Sequence, residues 1–114
     1  MLLISFPNGT DWFKSNWVFR QLGADVGNAF PNDPELLHLL EVAEAFGHLD
    51  LQGLDESLLL RTLSALRTVC TDTIQEKIPG WKGNKPADIE GHRMYSESIH
   101  ELLGLIDQQI GPTN

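Results

Sequence analysis

Basic residues are missing from a long stretch of this 114-residue sequence. From Gln21 to Leu60 there is no Lys or Arg, although these residues include eight carboxylates: Asp25, Asp33, Glu35, Glu41, Glu44, Asp50, Asp55 and Glu56. The chain has 16 acidic and 8 basic residues, so the other eight carboxylates balance the basic residues and the net charge of −8 lies in this acidic window. A field of one sign attracts partners of the opposite sign. The acidic window therefore disfavours nucleic acids and anionic membrane surfaces and favours a basic protein partner.

Cysteine and long apolar runs are also scarce. Cys70 is the single cysteine, so no disulfide forms within the chain, which favours a reducing compartment and predicts a cytoplasmic protein. No apolar run approaches the roughly 20 residues that cross a bilayer, and the apolar start of the chain lacks the basic leader of a secretory signal. The length and the 41% hydrophobic content predict a single domain, 1–114, with an ordinary core.

Catalytic and metal-binding motifs are absent as well. The sequence has no His-Glu-x-x-His, no Cys-x-x-Cys, no Gly-x-Ser-x-Gly and no glycine-rich phosphate loop. Glu97 and His100 form a single Glu-x-x-His step, whereas a di-iron bundle needs two such steps and two more glutamates. Cys70 falls on an apolar helix stripe, where burial would raise the pKa of its thiol and make it a poor nucleophile. We therefore predict no catalytic residues, no cofactor and no metal site.

Capping residues divide the chain into helices. Asp33 and Asp55 are good N-caps, Pro34 suits a first helical position, and Gly47 suits a left-handed terminator. The predicted helices run from Thr10 or Asp11 to near Gly23 or Gly27, from Pro34 to Phe46, from Asp55 to about Lys77, and from Pro86 or Asp88 to Gln109 or Ile110.

Strand-forming patterns are nearly absent after residue 6. The apolar run Leu2–Phe6 ends at a Pro-Asn-Gly turn and is either a short strand or an extended arm. The third predicted helix carries an apolar stripe at spacings of three and four, made of Leu59, Leu63, Leu66, Cys70 and Ile74. We therefore predict an all-α protein, a compact bundle of about four helices with a short extended N-terminal segment.

The second predicted helix has an unusual polar side. Leu37 projects among Glu41, Glu44 and His48 at 100° per residue, opposite the apolar face. Leu37 is either an ordinary surface leucine, a residue packed under the aromatic N-terminal segment, or an apolar anchor inside an acidic rim. Four residues separate Glu44 from His48, so Glu44 is predicted to support the charged form of His48. The predicted partner-binding residues are Leu37, His38, Glu41, Glu44, His48, Asp50, Asp55 and Trp81.

Trp81 lies in a loop that holds three of the eight basic residues, Lys77, Lys82 and Lys85. The tryptophan either covers the end of the bundle or joins the binding surface. Such a loop can grip phosphate, but three lysines in an acidic chain are a weak indication of nucleic-acid binding. The loop is positively charged and the acidic window is negatively charged, so the loop of one copy could contact the window of another; a homodimer is therefore an alternative.

The leading hypothesis is a non-catalytic acidic protein that occludes a basic protein partner. Its most concrete version is a bacterial immunity or inhibitor protein that neutralises a toxin such as a nuclease, because nucleases present basic surfaces to phosphate-rich substrates. A helical adaptor or a subunit of a larger complex fits the same features. A small metal-binding or enzymatic bundle is the alternative with the least support in the sequence.

Overall fold

The computed structural model describes residues 1–78 and 86–110, and for residues 86–88 it describes the backbone alone. These residues form a mixed α/β structure, so the prediction of an all-α bundle is wrong. Three strands occupy the N-terminal half of the chain beside the predicted helices. The elements are β1 (Leu2–Ser5), β2 (Asp11–Lys14), α1 (Asn16–Ala29), α2 (Pro34–Phe46), β3 (His48–Asp50), α3 (Glu56–Ile74) and α4 (Pro86–Ile110).

Strand β2 lies where the sequence predicted the start of the first helix. It is antiparallel to β1, and the two strands are joined by a tight turn in which Gly9 has a φ of 88° and Phe6 N donates to Thr10 O (2.9 Å). Trp12 is buried and Phe13 is exposed, the alternation of a strand with one face on a core. Helix α1 therefore begins only after Ser15, which takes the N-cap position.

Strand β3 completes the sheet, in the order β2-β1-β3, and runs parallel to β1. Leu3 N donates to Gly47 O (3.1 Å), and Leu51 N donates to Ser5 O (3.0 Å). Gly47 makes this pairing possible, because its left-handed φ of 73° ends α2 and turns the chain into the sheet.

The capping residues define α2 and α3. Asp33 accepts a hydrogen bond from Leu36 N (3.2 Å), and Asp55 accepts one from Leu58 N (2.8 Å). The predicted bounds of α2 are confirmed, with Gly47 as the C-cap. Helix α3 ends at Ile74, three residues before the predicted Lys77, and a turn in which Glu76 has a φ of 59° follows it. Helix α4 ends at the predicted residue.

The core lies between the sheet and the helices. The inner face of the sheet contributes Leu2, Ile4, Trp12 and Leu49, all at most 1% exposed. Trp12 Nε1 donates to Ser98 O of α4 (3.1 Å), which ties β2 to the last helix. Among the described residues, no helix is both long and apolar enough to span a membrane.

Cys70 is buried on α3, as its place on the apolar stripe predicted. Burial is the main cause that raises the pKa of its thiol to about 12, and the nearby Asp107 carboxylate adds to the effect. A thiol with such a pKa stays protonated at neutral pH and is a poor nucleophile. Cys70 is therefore part of the core.

Candidate protein-binding surfaces

The predicted acidic face is divided between separate parts of the fold. Leu37, His38, Glu41 and Glu44 remain on α2, but the turn at Gly47 carries the following residues away from the helix. Of those residues, His48 and Asp50 lie on β3 and Asp55 caps α3, whereas the predicted Trp81 lies outside the described residues.

The predicted support of His48 by Glu44 is wrong. Glu44 accepts a hydrogen bond from Arg20 Nε of α1 (3.0 Å). His48 belongs to β3, where its Nε2 lies 2.9 Å from Ser5 Oγ. The four-residue spacing predicted a pair because it assumed a continuous helix, and the helix ends between the two residues.

Leu37 packs against α1. It is half-buried, and a Cβ built on Gly27 would lie 3.8 Å from its Cδ2 atom. Leu37 also lines a shallow groove of about 280 Å³ between α1 and α2, together with Phe19 and Glu41. This contact with α1 matches the packing interpretation of Leu37 more closely than that of a free anchor.

Arginines from both ends of the acidic window return to its carboxylates. Arg20, the last residue before the window, pairs with Glu44, and Arg61, the first after it, pairs with Asp33 (3.0 Å) and with Glu35. The hydrogen bond that Arg61 donates to Glu35 is the largest cause of the raised pKa of its guanidinium. The acidic window has no basic residue of its own, but in the folded protein the two flanking arginines neutralise part of its charge.

Only part of the window remains as uncompensated surface charge. Asp25 is buried on α1, where it accepts a hydrogen bond from Gln21 Nε2 (3.2 Å). Within residues 1–78 and 86–110, no Lys or Arg forms an ion pair with the exposed carboxylates Glu41, Asp50, Asp55 and Glu56. These four lie on three different elements: Glu41 on α2, Asp50 on β3, and Asp55 and Glu56 at the start of α3.

A different surface emerges on the side of the sheet that faces away from the helices. The strand register places Leu3 between Phe13 and His48 in one row, and Ser5 between two carboxylates in the next. Because side chains alternate along a strand, these residues share one side of the sheet. We call this set the outer sheet face: Leu3, Ser5, Asp11, Phe13, His48 and Asp50.

Large apolar side chains are exposed on and beside the outer sheet face. Phe13 is 54% exposed, Met1 immediately before β1 is 65% exposed, and Phe46 at the end of α2 is 81% exposed. The sequence placed Phe46 with the apolar residues of α2, and the structure turns it to solvent. Large apolar side chains gathered at one surface are typical of sites that contact another molecule.

The charge of the outer sheet face is acidic. Asp11 and Asp50 are exposed, and no Lys or Arg of the part of the chain that the structure describes forms an ion pair with either of them. Lys14, the basic residue of β2, is on the inner side and pairs with Glu101 of α4 (2.6 Å). Sequence reasoning missed Phe13 and Asp11 because it assigned them to a helix, and the adjacent aromatics Trp12 and Phe13 show no apolar–polar alternation that would have indicated a strand.

The described residues hold no group of three or more His, Cys, Asp or Glu that could bind a metal ion. Glu97 of the Glu-x-x-His step accepts a hydrogen bond from Arg93 Nη1 (2.8 Å), and both side chains are exposed. Glu97 is therefore part of a surface ion pair, and His100 Nδ1 lies 2.8 Å from the backbone oxygen of Ser96.

No protein-family model, curated protein or solved structure matches this chain.

Proposed function

We propose that this protein is a non-catalytic binding protein that covers a positively charged surface of another protein. The outer sheet face carries the proposal, because it presents the apolar side chains of Phe13 and Leu3 in the row next to the exposed carboxylates of Asp11 and Asp50. His48, beside Leu3, belongs to the same contact. A basic partner supplies the cations that this face lacks.

The two kinds of side chain on this face have different roles in binding. Phe13 and Leu3 supply apolar area that leaves water in the complex, and a buried aromatic anchor often dominates the binding energy. The carboxylates attract a basic partner and accelerate the encounter, since opposite potentials raise the association rate. The net charge of −8 adds to this long-range attraction.

The most concrete form of the proposal is a cytoplasmic bacterial immunity or inhibitor protein that neutralises a toxin such as a nuclease. A nuclease has to present basic surface to its substrate, and a small acidic domain that covers this surface blocks access. A helical adaptor or complex subunit would use the same face. Recovery of the protein with one basic enzyme supports an inhibitor, and recovery within a multi-subunit assembly supports an adaptor.

The experiment compares two charge-matched double variants. Asp11→Asn with Asp50→Asn alters the outer sheet face, and Glu41→Gln with Glu44→Gln alters the acidic flank of α2; each pair changes the net charge by the same amount. Wild type and both variants serve as baits for basic proteins from a bacterial lysate. The dissociation constant of the retained protein is then measured by calorimetry at low and high salt, after circular dichroism has verified each fold.

We expect the outer-face pair to weaken binding at least tenfold at low salt, because truncated anchors and charges at an interface centre each cost about 1–2 kcal/mol. Phe13→Ala should weaken it to a similar degree. The α2 pair should have a smaller effect. The proposal fails if no basic protein is retained, or if the α2 pair weakens binding more than the outer-face pair.

A further inference from the structure

A cleft opens where the turn between α1 and α2 meets the first half of α3. Its volume is about 400 Å³, within the range of pockets that hold ligands. Its lining includes Phe30, Asp33, Leu36, Leu60, Arg61 and Ser64. A second hollow of about 290 Å³ shares Phe30 and Asp33 with it, so the concave surface continues along the α1–α2 turn.

The cleft has an apolar floor and an exposed apolar wall. Leu36 and Ala65, at 1% and 2% exposed, belong to the core of the protein. Leu60 is 55% exposed although it borders this hollow, and Phe30 is half-buried. An apolar side chain of another molecule would remove Leu60 and Phe30 from water together, which is favourable in proportion to the area covered.

Charged groups at the rim of the cleft determine which charge is favoured next to a bound apolar side chain. Arg61 Nη1 lies 3.0 and 3.1 Å from the two Asp33 oxygens, and its Nη2 donates to Glu35. Asp33 also accepts a hydrogen bond from the Leu36 amide at the start of α2. An anion would therefore compete with two carboxylates for the guanidinium. A cation beside Glu35, whose side chain is 58% exposed, would share its carboxylate with Arg61.

We infer that this cleft binds a leucine or aromatic side chain from a basic polypeptide segment, with a Lys or Arg of that segment beside Glu35. The cleft lies at the N-terminal end of α2, whereas the outer sheet face begins beyond its C-terminal end. The 13 residues of α2 separate the two by about 20 Å. The inference therefore concerns a second binding surface and does not rest on the proposed function.

The test uses a synthetic 14-residue peptide of leucine and lysine in an amphipathic helical pattern, and a matched peptide in which glutamate replaces lysine. Each is titrated into ¹⁵N-labelled protein. We expect the lysine peptide to shift the amide resonances of Leu36, Leu60 and Ser64 most strongly, and the glutamate peptide to leave them unchanged.

Variants of the cleft complete the test. Ser64→Leu should fill the cleft from an exposed position on α3 and weaken the lysine peptide at least tenfold. Thr68→Leu adds the same side chain to an exposed position one turn further along α3 and should leave the dissociation constant within twofold. Leu60→Ala removes the wall of the cleft and should weaken binding without filling it. This variant tests the cleft independently if Ser64→Leu does not fold.

The inference is overturned if Ser64→Leu and Leu60→Ala both leave binding unchanged, if the glutamate peptide binds equally well, or if no peptide binds. Binding that is lost in the Asp11→Asn and Asp50→Asn variant but kept in Ser64→Leu also overturns it, and leaves the proposed function standing. Binding that is lost in Ser64→Leu and kept in the outer-face variant supports the cleft whatever the fate of the proposed function.

Discussion

On the flank of α2, Glu44 lies beside Arg20, whereas Asp11 and Asp50 on the outer sheet face lie beside Leu3, Ser5 and Phe13. The flank of α2 comes from one continuous stretch of sequence and looks unopposed there, but α1 returns a cation to it. The outer sheet face is assembled from three separate segments, and one of its two carboxylates lies outside the acidic window. Charge that is segregated along a sequence can thus be neutralised in space, and an acidic surface can form where the sequence shows no cluster.

The largest expected effect is a difference in stability between substitutions on the inner and outer sides of β2. Trp12→Ala should lower the free energy of unfolding by about 3–5 kcal/mol, since it empties a buried aromatic site and removes the hydrogen bond to Ser98. Phe13→Ala, one residue further on, should cost less than about 1 kcal/mol because Phe13 is 54% exposed. Urea unfolding followed by far-ultraviolet circular dichroism measures both. Equal losses would mean that the outer sheet face is covered and unavailable to a partner.

A smaller effect is expected at Gly47, where the chain passes from α2 to the sheet. Gly47→Ala should destabilise the protein by about 1 kcal/mol, because a residue with a Cβ resists the φ of 73°. Gly23→Ala in α1 is the matched control: its added Cβ meets no atom within 4 Å, and it should stabilise by about 0.5–1 kcal/mol. Thermal unfolding of both variants measures the difference. If Gly47→Ala left the free energy of unfolding unchanged, the left-handed conformation of Gly47 would not be the cause of the separation between α2 and the residues of β3 in the predicted acidic face.

The smallest expected effect lies in the Arg20–Glu44 pair. Both side chains are well exposed, at 67% and 43%, so a double-mutant cycle with Arg20→Gln and Glu44→Gln should give a coupling energy of about 0.5 kcal/mol. This coupling should vanish at 1 M salt, where exposed charges are screened within a few ångströms. No coupling at low salt would contradict the neutralisation of the α2 flank, and this flank would then rival the outer sheet face as an acidic surface.

Local chemistry explains why some elements could be predicted from the sequence. Asp33, Pro34 and Gly47 each act within a few residues of their own position, so the bounds of α2 follow from the sequence alone. The three-residue strand β3 has no such local pattern, because its pairing partner Leu3 lies 45 residues before His48. The sequence consequently led to an all-α prediction.

The candidate surface was predictable only in part, for the same reason. His48 and Asp50 were predicted as partner-binding residues because they belong to the acidic window. Phe13 and Asp11 were missed because an aromatic run without a clear period was assigned to a helix. Their juxtaposition with Asp50 depends on the strand register, which is a property of the folded sheet.

The central position of β1 also constrains the order in which the chain can fold. Its antiparallel partner β2 follows within the first 14 residues, but its parallel partner β3 arrives only after α1 and α2 have brought the chain back. Closing such a long loop costs conformational entropy before the parallel pairing contributes any favourable energy. We therefore expect docking of β3 to come late in folding. Until residue 50 has left the ribosome, one edge of β1 remains open to pairing with other chains, and the nascent protein is most prone to aggregation in that interval.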